Sequence, residues 1–449
     1  MSNKLFGTDG VRGVANTYPM TAEFAFKLAK ILSSVVCLTH KKVAIGKDTR
    51  LSGDMIEAAL CAGFTSCGIS VISLGVVPTP LVTLKTPSLG IDMALMITAS
   101  HNPYSDNGIK LINADGDKFP DDFYKKIEQL IEENNFLISQ TSSIGTISVN
   151  TDIVEQYIED MRNIAPNYKA LQGLRVVLDC ANGAYSYILP QTFKDLGAGV
   201  IAINNQPNGI NINEKCGSQH TEQLAQTVID THAHFGVAVD GDGDRIILVD
   251  DKGNVVDGDQ LLCFLALYLR KHNALTNNTV ISTEWSNLGL GQYLTSQGFL
   301  YFKSKVGERY VIDLMREKSA VLGGEVVGHI VLSHYAKTGD ALATAIIIAL
   351  AYLEDKKMLS EIFPIFTPFP CIIENIRFSN AQYMADSVEH DDVKQALFDG
   401  KKQLGEISTL IARKSGTEPV IKLRVEGQNA ETVSQVALQL KQLILQYQK

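Results

Sequence analysis

Three stretches of the chain repeat one pattern, in which an apolar strand is followed by a Gly- or Asn-bearing turn, an amphipathic helix and a second apolar strand. The first strands begin at Val43, Val176 and Val280, and each second strand follows about 20 to 30 residues later, as expected for a right-handed βαβ crossover. The repeat predicts three α/β domains of similar build. One large doubly wound sheet is the alternative, and the polar breaks at 140–146 and 250–254 argue against it.

The pattern changes after the proline-rich segment 363–370. Short apolar strands then alternate with charged or amphipathic helical stretches, which favours a small α+β domain with an antiparallel sheet. The predicted elements are strands from Cys371, Thr409 and Ile421 and helices over 393–404 and 431–448.

Charge and composition exclude several classes of protein. The 449 residues carry a formal net charge of −9, which argues against a nucleic-acid-binding scaffold. The longest apolar run, 341–353, is shorter than the ~20 residues of a membrane-spanning helix, so we expect a buried helix and no membrane partner. The N-terminus lacks the apolar stretch of a signal peptide, and the seven cysteines form no Cys-x-x-Cys pair. The expected location is therefore a reducing cytoplasm.

The most informative segment is Asp240-Gly-Asp-Gly-Asp-Arg245, which lies between two apolar stretches. Asp240, Asp242 and Asp244 repel one another unless a cation lies among them, and their hard oxygens favour Mg²⁺, Mn²⁺ or Ca²⁺ over zinc. A solvated hairpin turn is the alternative, because Asp-Gly is a strong turn signal. A metal site is favoured, since a turn needs only one Asp-Gly.

A second segment, Thr98-Ala-Ser-His-Asn-Pro103, follows an apolar run. Loops at the carboxyl ends of strands are where α/β folds bind ligands. The side chains that could handle a phosphoryl group here are Thr98, Ser100, His101, Ser105 and Lys110. On this loop alone, an ordinary turn fixed by Pro103 is an equal alternative.

A third segment, Arg413-Lys-Ser-Gly-Thr-Glu-Pro419, is followed by Lys422 and Arg424. Ser415-Gly-Thr417 offers hydroxyls, successive backbone N–H groups and a sharp bend, which together suit a phosphate. A surface turn with incidental charge is the alternative. The chain contains no P-loop and no Gly-x-Gly-x-x-Gly fingerprint, so nucleotide binding is not indicated.

Two shorter segments are ambiguous. Gly323-Gly-Glu-Val-Val-Gly-His-Ile330 places Glu325 and His329 four residues apart beside three glycines, which suits a sugar site, but a strand-to-helix turn with a satisfied histidine explains it equally well. Gly7-Thr-Asp-Gly-Val-Arg-Gly13 supplies Arg12 within a glycine-framed loop, and the same two interpretations apply.

These five segments, taken in their order along the chain, resemble the motifs of the α-D-phosphohexomutase family over essentially the whole chain. Further segments resemble the bacterial phosphoglucosamine mutases within it: 179–184, 216–218, 286–289 and 306–310. The resemblance implies three related α/β domains with mixed sheets and a C-terminal α+β domain with a TATA-binding-protein-like fold, around one cleft. The implied bounds are 1–153, 154–256, 257–367 and 368–449.

The resemblance also implies an activity. Glucosamine 6-phosphate and glucosamine 1-phosphate would interconvert through a phosphoserine and an enzyme-bound 1,6-bisphosphate, feeding UDP-N-acetylglucosamine and cell-wall precursor synthesis. The expected partners are the hexosamine phosphate and the bisphosphate, and a homodimer is left open. A phosphomannomutase or phosphoglucomutase of the same family, a metal-dependent sugar phosphatase and a silent sugar-phosphate sensor are the alternatives.

Roles follow from the resemblance position by position. Ser100 would carry the phosphoryl group, and Asp240, Asp242 and Asp244 would hold one Mg²⁺ with an oxygen of that phosphate. The other residues expected at the reacting centre are Arg12, His101, Lys110 and Arg245, with Glu325 and His329 on the sugar and Arg413, Ser415, Gly416, Thr417 and Lys422 on the non-reacting phosphate.

Two positions depart from the family pattern. Val327 stands where the sugar loop usually has Ser, so one sugar hydrogen bond is lost or replaced. Lys422 stands where an Arg is usual, so a bidentate contact with the phosphate is replaced by the point charge of an ammonium group. Neither position belongs to the phosphoserine or the metal ligands, so the departures concern the choice of sugar more than the chemistry.

Overall fold

The computed structural model describes residues 5–7, 10–36, 39–133, 143–379, 381–414 and 420–447. The chain forms two compact units. The first comprises Met1–Glu284 and Phe302–Pro364, and the second comprises Trp285–Tyr301 and Ile365–Lys449.

The N-terminal part of the first unit is built on a mixed six-stranded sheet. Its strands, in the spatial order β1-β5-β4-β2-β3-β6, are β1 (Val11–Val14), β2 (Lys42–Lys47), β3 (Ser70–Val76), β4 (Met93–Ile97), β5 (Asp106–Asn113) and β6 (Ile147–Val149). The helices are α1 (Ala22–Val35), α2 (Gly53–Ser66), α3 (Thr79–Lys85) and α4 (Asp121–Glu133). β2 pairs in parallel with β3 and β4, whereas β5 is antiparallel to β1 and β4. The predicted first βαβ unit is therefore present, and β4 is buried along its whole length, so the loop that follows it starts from the core.

A second mixed sheet, in the order β11-β10-β9-β7-β8, follows in the first unit. Its strands are β7 (Arg175–Asp179), β8 (Gly199–Ile203), β9 (Phe235–Val239), β10 (Ile246–Val249) and β11 (Val255–Val256), with helices α5 (Ile153–Arg162), α6 (Ile188–Asp195) and α7 (Glu222–Thr231). β7 is parallel to β8 and β9, which confirms the second predicted βαβ unit. β9 and β10 form an antiparallel hairpin, so the residues that join them project from one edge of the sheet.

A third mixed sheet has the order β13-β12-β14-β15. Its strands are β12 (Thr279–Thr283), β13 (Leu300–Ser304), β14 (Leu322–Gly324) and β15 (Ile330–Leu332), and the helices beside it in sequence are α8 (Gly258–Lys271), α10 (Glu308–Glu317), α11 (Ala341–Asp355) and α12 (Leu359–Ile362). α11 contains the long apolar run and is buried as predicted, and Asp340 caps its N-terminus by accepting the N–H groups of Leu342 and Ala343. Among the described residues, no helix has both the length and the apolar character needed to cross a bilayer.

The second unit contains an antiparallel sheet in the order β16-β18-β17. Its elements are β16 (Cys371–Arg377), β17 (Thr409–Lys414) and β18 (Val420–Glu426), with helices α9 (Leu288–Ser296), α13 (Ala381–Glu389), α14 (Asp391–Leu404) and α15 (Ala430–Leu445). Leu423, Val436 and Leu440 are among the buried residues of its core. The predicted antiparallel α+β domain is confirmed, although the sequence analysis did not predict α13.

Candidate active site

Ser100 lies in the loop after β4, at the carboxyl end of a fully buried strand. Its φ of 53° places the backbone in the left-handed region, which costs a residue with a side chain about 1–3 kcal/mol and is typical of functional loops. The Ser100 hydroxyl donates to Asp240 Oδ2 at 2.6 Å, and Ser100 Oγ lies 3.3 Å from His101 Nδ1. The predicted serine and one predicted metal ligand are therefore in direct contact.

The three aspartates occupy the turn of the β9–β10 hairpin. The backbone is therefore a hairpin turn, as the alternative predicted. The turn is not solvated, however, because Asp240, Asp242 and Asp244 are at most 1% exposed. Their carboxylates offer oxygens that all lie within 4.8 Å of one another. Gly243 (φ 76°) allows the turn to pack on Tyr185, since a Cβ there would lie 2.2 Å from the ring.

Lys110 on β5 supplies positive charge to this cluster. Its Nζ donates to Asp242 Oδ2 and to Asp244 Oδ2, both at 2.7 Å. Burial opposes ionisation of Asp244, but Lys110 and His329 hold the pKa of its carboxyl well below the usual range. Burial, together with the charges of Asp244 and Asp242, raises the pKa of Asp240 well above its ordinary value.

The cluster fits a divalent cation. The Oδ1 atoms of Asp242 and Asp244 are buried and have no hydrogen-bond partner, which is costly for a carboxylate oxygen. A set of three carboxylates suits a hard, oxygen-seeking ion, and these residues could hold one.

Arg12, His101 and Arg245 lie around the same point. Arg12 on β1 is paired with Gly108 of β5, and a Cβ at Gly108 would lie 2.9 Å from Arg12 Cγ, so the glycine makes room for the arginine. Burial, with the charges of Arg245 and Arg12, lowers the pKa of His101 to about 3. His101 is therefore a neutral imidazole at neutral pH in this environment.

Glu325 and His329 lie in the turn between β14 and β15. This turn is a hairpin, so the alternative of a strand-to-helix turn is wrong. His329 Nδ1 lies 3.4 Å from Glu325 Oε2, and His329 Nε2 lies 3.4 Å from Asp244 Oδ2 and 3.3 Å from Glu308 Oε1. Burial opposes protonation, but Asp244 and Glu308 raise the pKa of His329 well above its ordinary value. The expected sugar loop therefore contacts the aspartate cluster.

Sequence reasoning gave no role to two side chains that hold this site. The Thr79 hydroxyl donates to Asp242 Oδ2 at 2.5 Å, and the Thr79 N–H donates to the Asp242 carbonyl at 2.9 Å. Glu308 accepts the N–H of Gly339 at 2.7 Å and pairs with Lys118. The position of Thr79 three residues after β3, at the start of α3 and at the carboxyl edge of the sheet, was a signal that could have identified it.

The predicted phosphate-binding residues lie in the second unit. Arg413 and Lys422 are exposed, whereas Ser415, Gly416 and Thr417 lie outside the described residues. Arg424, which follows the same segment, is only 2% exposed, and its Nη2 donates to Glu426 Oε2 at 2.7 Å. Lys422 Nζ lies 5.6 Å from the centre of the Trp285 ring, and Arg424 Cζ lies 6.0 Å from the same point.

Four family profiles match consecutive parts of the chain. They are described as phosphoglucomutase/phosphomannomutase alpha/beta/alpha domain I at 3–137, domain II at 155–253, domain III at 257–369 and the C-terminal domain at 374–443.

Curated relatives and a solved structure match over nearly the full length. The chain is 42% identical to phosphoglucosamine mutase of Bartonella tribocorum, covering 99% of this chain and 98% of the relative, and 41% identical to phosphoglucosamine mutase of Zymomonas mobilis, covering 97% of each. A phosphoglucomutase/phosphomannomutase family protein from Burkholderia thailandensis shares the fold with a TM-score of 0.81 at 23% identity, covering all of this chain and 98% of that one. The chain belongs to the phosphoglucomutase/phosphomannomutase family.

Proposed function

We propose that the protein interconverts glucosamine 6-phosphate and glucosamine 1-phosphate by way of phospho-Ser100 and an enzyme-bound 1,6-bisphosphate. The observation that carries the proposal is the 2.6 Å contact between the Ser100 hydroxyl and Asp240, beside two further buried carboxylates. The relatives that are named phosphoglucosamine mutase, at 41–42% identity over nearly the whole chain, support the choice of sugar.

In the first half-reaction, the bond between phosphorus and Ser100 Oγ breaks and a bond to the free sugar hydroxyl forms. The proton of that hydroxyl ends on Ser100 Oγ, so that the serine is restored and a bisphosphate is produced. After the bisphosphate turns round, the other phosphoryl group returns to Ser100 by the reverse step. The protein mainly has to position the groups and offset negative charge, because phosphoryl transfer needs little covalent chemistry from it.

Asp240, Asp242 and Asp244, with the phosphate on Ser100, are the proposed ligands of one Mg²⁺. A bound Mg²⁺ would offset negative charge on the transferring group. Lys110, whose Nζ lies 2.7 Å from Asp242 Oδ2 and Asp244 Oδ2, is in place to offset part of the same charge, and Arg12 and Arg245 extend the positive surroundings. His101 is proposed to hydrogen-bond the transferring group as a neutral imidazole.

Glu325 and His329 are proposed to contact the sugar, and Arg413 and Lys422, with Ser415, Gly416 and Thr417, to bind the phosphate that is not being transferred. The buried position of Glu325 and His329 beside the aspartate cluster supports the first assignment. The exposed positions of Arg413 and Lys422 support the second, since both cations are accessible to an anion.

The test combines protein mass with substrate choice. After treatment with hexose 1,6-bisphosphate, we expect the intact protein to gain one phosphoryl group, which peptide mapping places on Ser100. We expect kcat/KM to be highest for glucosamine 6-phosphate among the 6-phosphates of glucosamine, glucose and mannose. A preference for glucose or mannose would favour the other mutases of the family, and sustained release of inorganic phosphate would favour a phosphatase.

A further inference from the structure

Four backbone carbonyls of the Ser100 loop converge on one buried guanidinium. Arg50 Nη2 donates to the carbonyls of Ser100 (3.0 Å) and Asn102 (2.8 Å), and Nη1 donates to those of Pro103 and Asp106. The remaining N–H, on Nε, donates to Asp48 Oδ2 at 2.9 Å. All five guanidinium donors are therefore used.

Arg50 reaches the loop because of the strand order. It follows β2, which lies next to β4 in a parallel pair, so the ends of the two strands meet at one edge of the sheet. Arg50 is 3% exposed. Its burial and its fully used donors exclude a direct role in holding the substrate phosphate.

Asn213, which follows β8 of the second sheet, contacts two of the same four carbonyls. Its Nδ2 donates to the carbonyls of Ser100 (2.8 Å) and Asn102 (3.0 Å). On the other side of the residue, the Ser100 N–H donates to Thr98 Oγ1 at 2.9 Å. The Thr98 hydroxyl in turn donates to Asp48 Oδ2 at 2.6 Å. Both peptide groups of Ser100 are thus fixed by side chains, of which Arg50 and Thr98 are buried and Asn213 is half-buried.

We propose that Arg50 and Asn213 are positioning residues that hold Ser100 in its left-handed conformation, with its hydroxyl directed at Asp240, throughout phosphoryl transfer. The inference rests on the proposed function. A left-handed serine is unfavourable without such support, and transfer in line between two oxygens tolerates little misplacement of Oγ. Neither residue contacts the transferring group, so each acts through Ser100.

Asn213→Asp is the first test, because it nearly conserves shape and replaces two N–H donors with an oxygen that repels the carbonyls. Asn273→Asp is the matched control, since Asn273 also has a positive φ of 54° but is exposed. We expect Asn213→Asp to lower kcat and the rate of Ser100 phosphorylation by about a hundredfold, with KM changed by less than about threefold. The control should match the wild-type protein in all three quantities.

Arg50→Ala with added guanidinium ion is the second test. A millimolar concentration of guanidinium should restore part of kcat in Arg50→Ala and leave Arg162→Ala unchanged, because Arg162 lies outside the loop and pairs with Glu159 and Asp195. Unchanged kcat in Asn213→Asp, or an increase in KM that accounts for the whole loss, would overturn the positioning role. A wild-type protein that never carries phosphate on Ser100 would overturn the proposed function as well, so the two failures are distinguishable.

Discussion

Arg413 and Lys422 lie directly opposite each other on the neighbouring strands β17 and β18. Both side chains are exposed, and directly opposed residues project from the same face of a sheet. Two like charges in this arrangement destabilise the sheet unless an anion lies between them. The pair is therefore a physical reason, independent of the loop at 415–419, to expect anion binding at this place.

Arg413→Ala should raise KM for both glucosamine 6-phosphate and glucosamine 1-phosphate. Loss of a hydrogen bond to a charged group costs about 1.5–3 kcal/mol, which corresponds to about a ten- to hundredfold loss of affinity. Lys422→Ala should have a smaller effect, because a point charge gives fewer directed bonds. Steady-state kinetics in both directions measure the change, and phosphorylation of Ser100 should be unaffected. A shift in the Mg²⁺ requirement with unchanged KM would place Arg413 at the reacting centre instead.

Arg424→Ala should lower the stability of the protein, whatever its effect on KM. Arg424 is buried, donates to the backbone carbonyls of Trp285 and Ser286, and pairs with Glu426, so the substitution leaves buried groups without their donor. We expect a lower midpoint of unfolding in a denaturant titration. A variant with wild-type stability and a strongly raised KM would return Arg424 to the phosphate site.

Ser100→Ala should abolish turnover and phosphorylation, since a methyl group cannot carry the phosphoryl group between the two ends of the sugar. Ser105→Ala is the control, because Ser105 lies in the same loop but is exposed. Intact mass after bisphosphate treatment and a coupled assay for glucosamine 1-phosphate measure the two effects. Near wild-type turnover in Ser100→Ala would mean that another group carries the phosphate.

Asp242→Asn should weaken divalent-cation binding by about a hundredfold or more. Removing a residue that only hydrogen-bonds a metal ligand already lowers metal affinity by about 10- to 100-fold, and removing a ligand should lower it at least as much. The substitution removes an anionic ligand but keeps the shape of the side chain, so the hairpin should remain folded. Calorimetric titration with Mg²⁺ or Mn²⁺ measures the affinity. Asp230→Asn, in α7, is the control, and equal affinities in the two variants would count against a metal site at Asp242.

Alkaline pH should destabilise the protein through two buried tyrosines. The Tyr157 hydroxyl donates to Asp340 Oδ2 at 2.6 Å, and the Tyr185 hydroxyl donates to Asp340 Oδ1 at 2.9 Å. Burial and the Asp340 charge raise the pKa of both phenols well above 10.0. The unfolded phenols ionise first, so this stabilisation is present below about pH 10 and is lost as the pH rises further.

Thermal melts across that pH range, with tyrosinate absorbance as the second signal, test this dependence. Tyr157→Phe should lower stability at neutral pH and flatten the alkaline decline. Tyr168→Phe should change little, since Tyr168 is an exposed residue bonded to Glu159. Tyrosinate absorbance that reaches its full value before unfolding would show that neither buried phenol resists ionisation.

The cysteines should differ sharply in reactivity. Cys371 is exposed, whereas burial raises the pKa of Cys61 to about 11 and of Cys216 and Cys263 to about 12. Because the thiolate is the nucleophile, alkylation at pH 8 should modify Cys371 first and leave these three protected. Peptide mapping over time measures the order of reaction among these four cysteines. Equal rates for all four in the folded protein would contradict the burial.

Hydrophobic patterning predicted much of the fold, because the burial of apolar side chains determines where most of the strands and helices form. The first two βαβ units and the antiparallel C-terminal sheet follow apolar patterns in the sequence, and the buried helix after Asp340 is a nearly continuous apolar run. The aspartate segment was predicted for a similarly local reason, since Asp240, Asp242 and Asp244 lie within five residues. The domain bounds, the residue roles, the homodimer and the cytoplasmic location stay predictions.

Contacts between residues far apart in the sequence could not be predicted from local sequence patterns. Nothing near Asn213 in sequence indicates that its amide reaches the carbonyl of Ser100, 113 residues away. Thr79 and Asp242 are separated by 163 residues, so the place of Thr79 after β3 points to the edge of the sheet where ligands bind but not to Asp242 as its partner. Such contacts depend on how sheets pack and on which strand ends meet, and the sequence carries no periodic signal for either.

The indole of Trp285, with Lys422 and Arg424 over its ring, gives the protein a built-in optical probe. Trp285 is the only tryptophan in the chain, so tryptophan emission comes from this one place. An anion that draws the exposed lysine away from the ring would change that emission, whereas the buried arginine would stay. We therefore expect the proposed binding of a sugar phosphate to the second unit to change tryptophan fluorescence in the unmodified protein, with no label and no turnover.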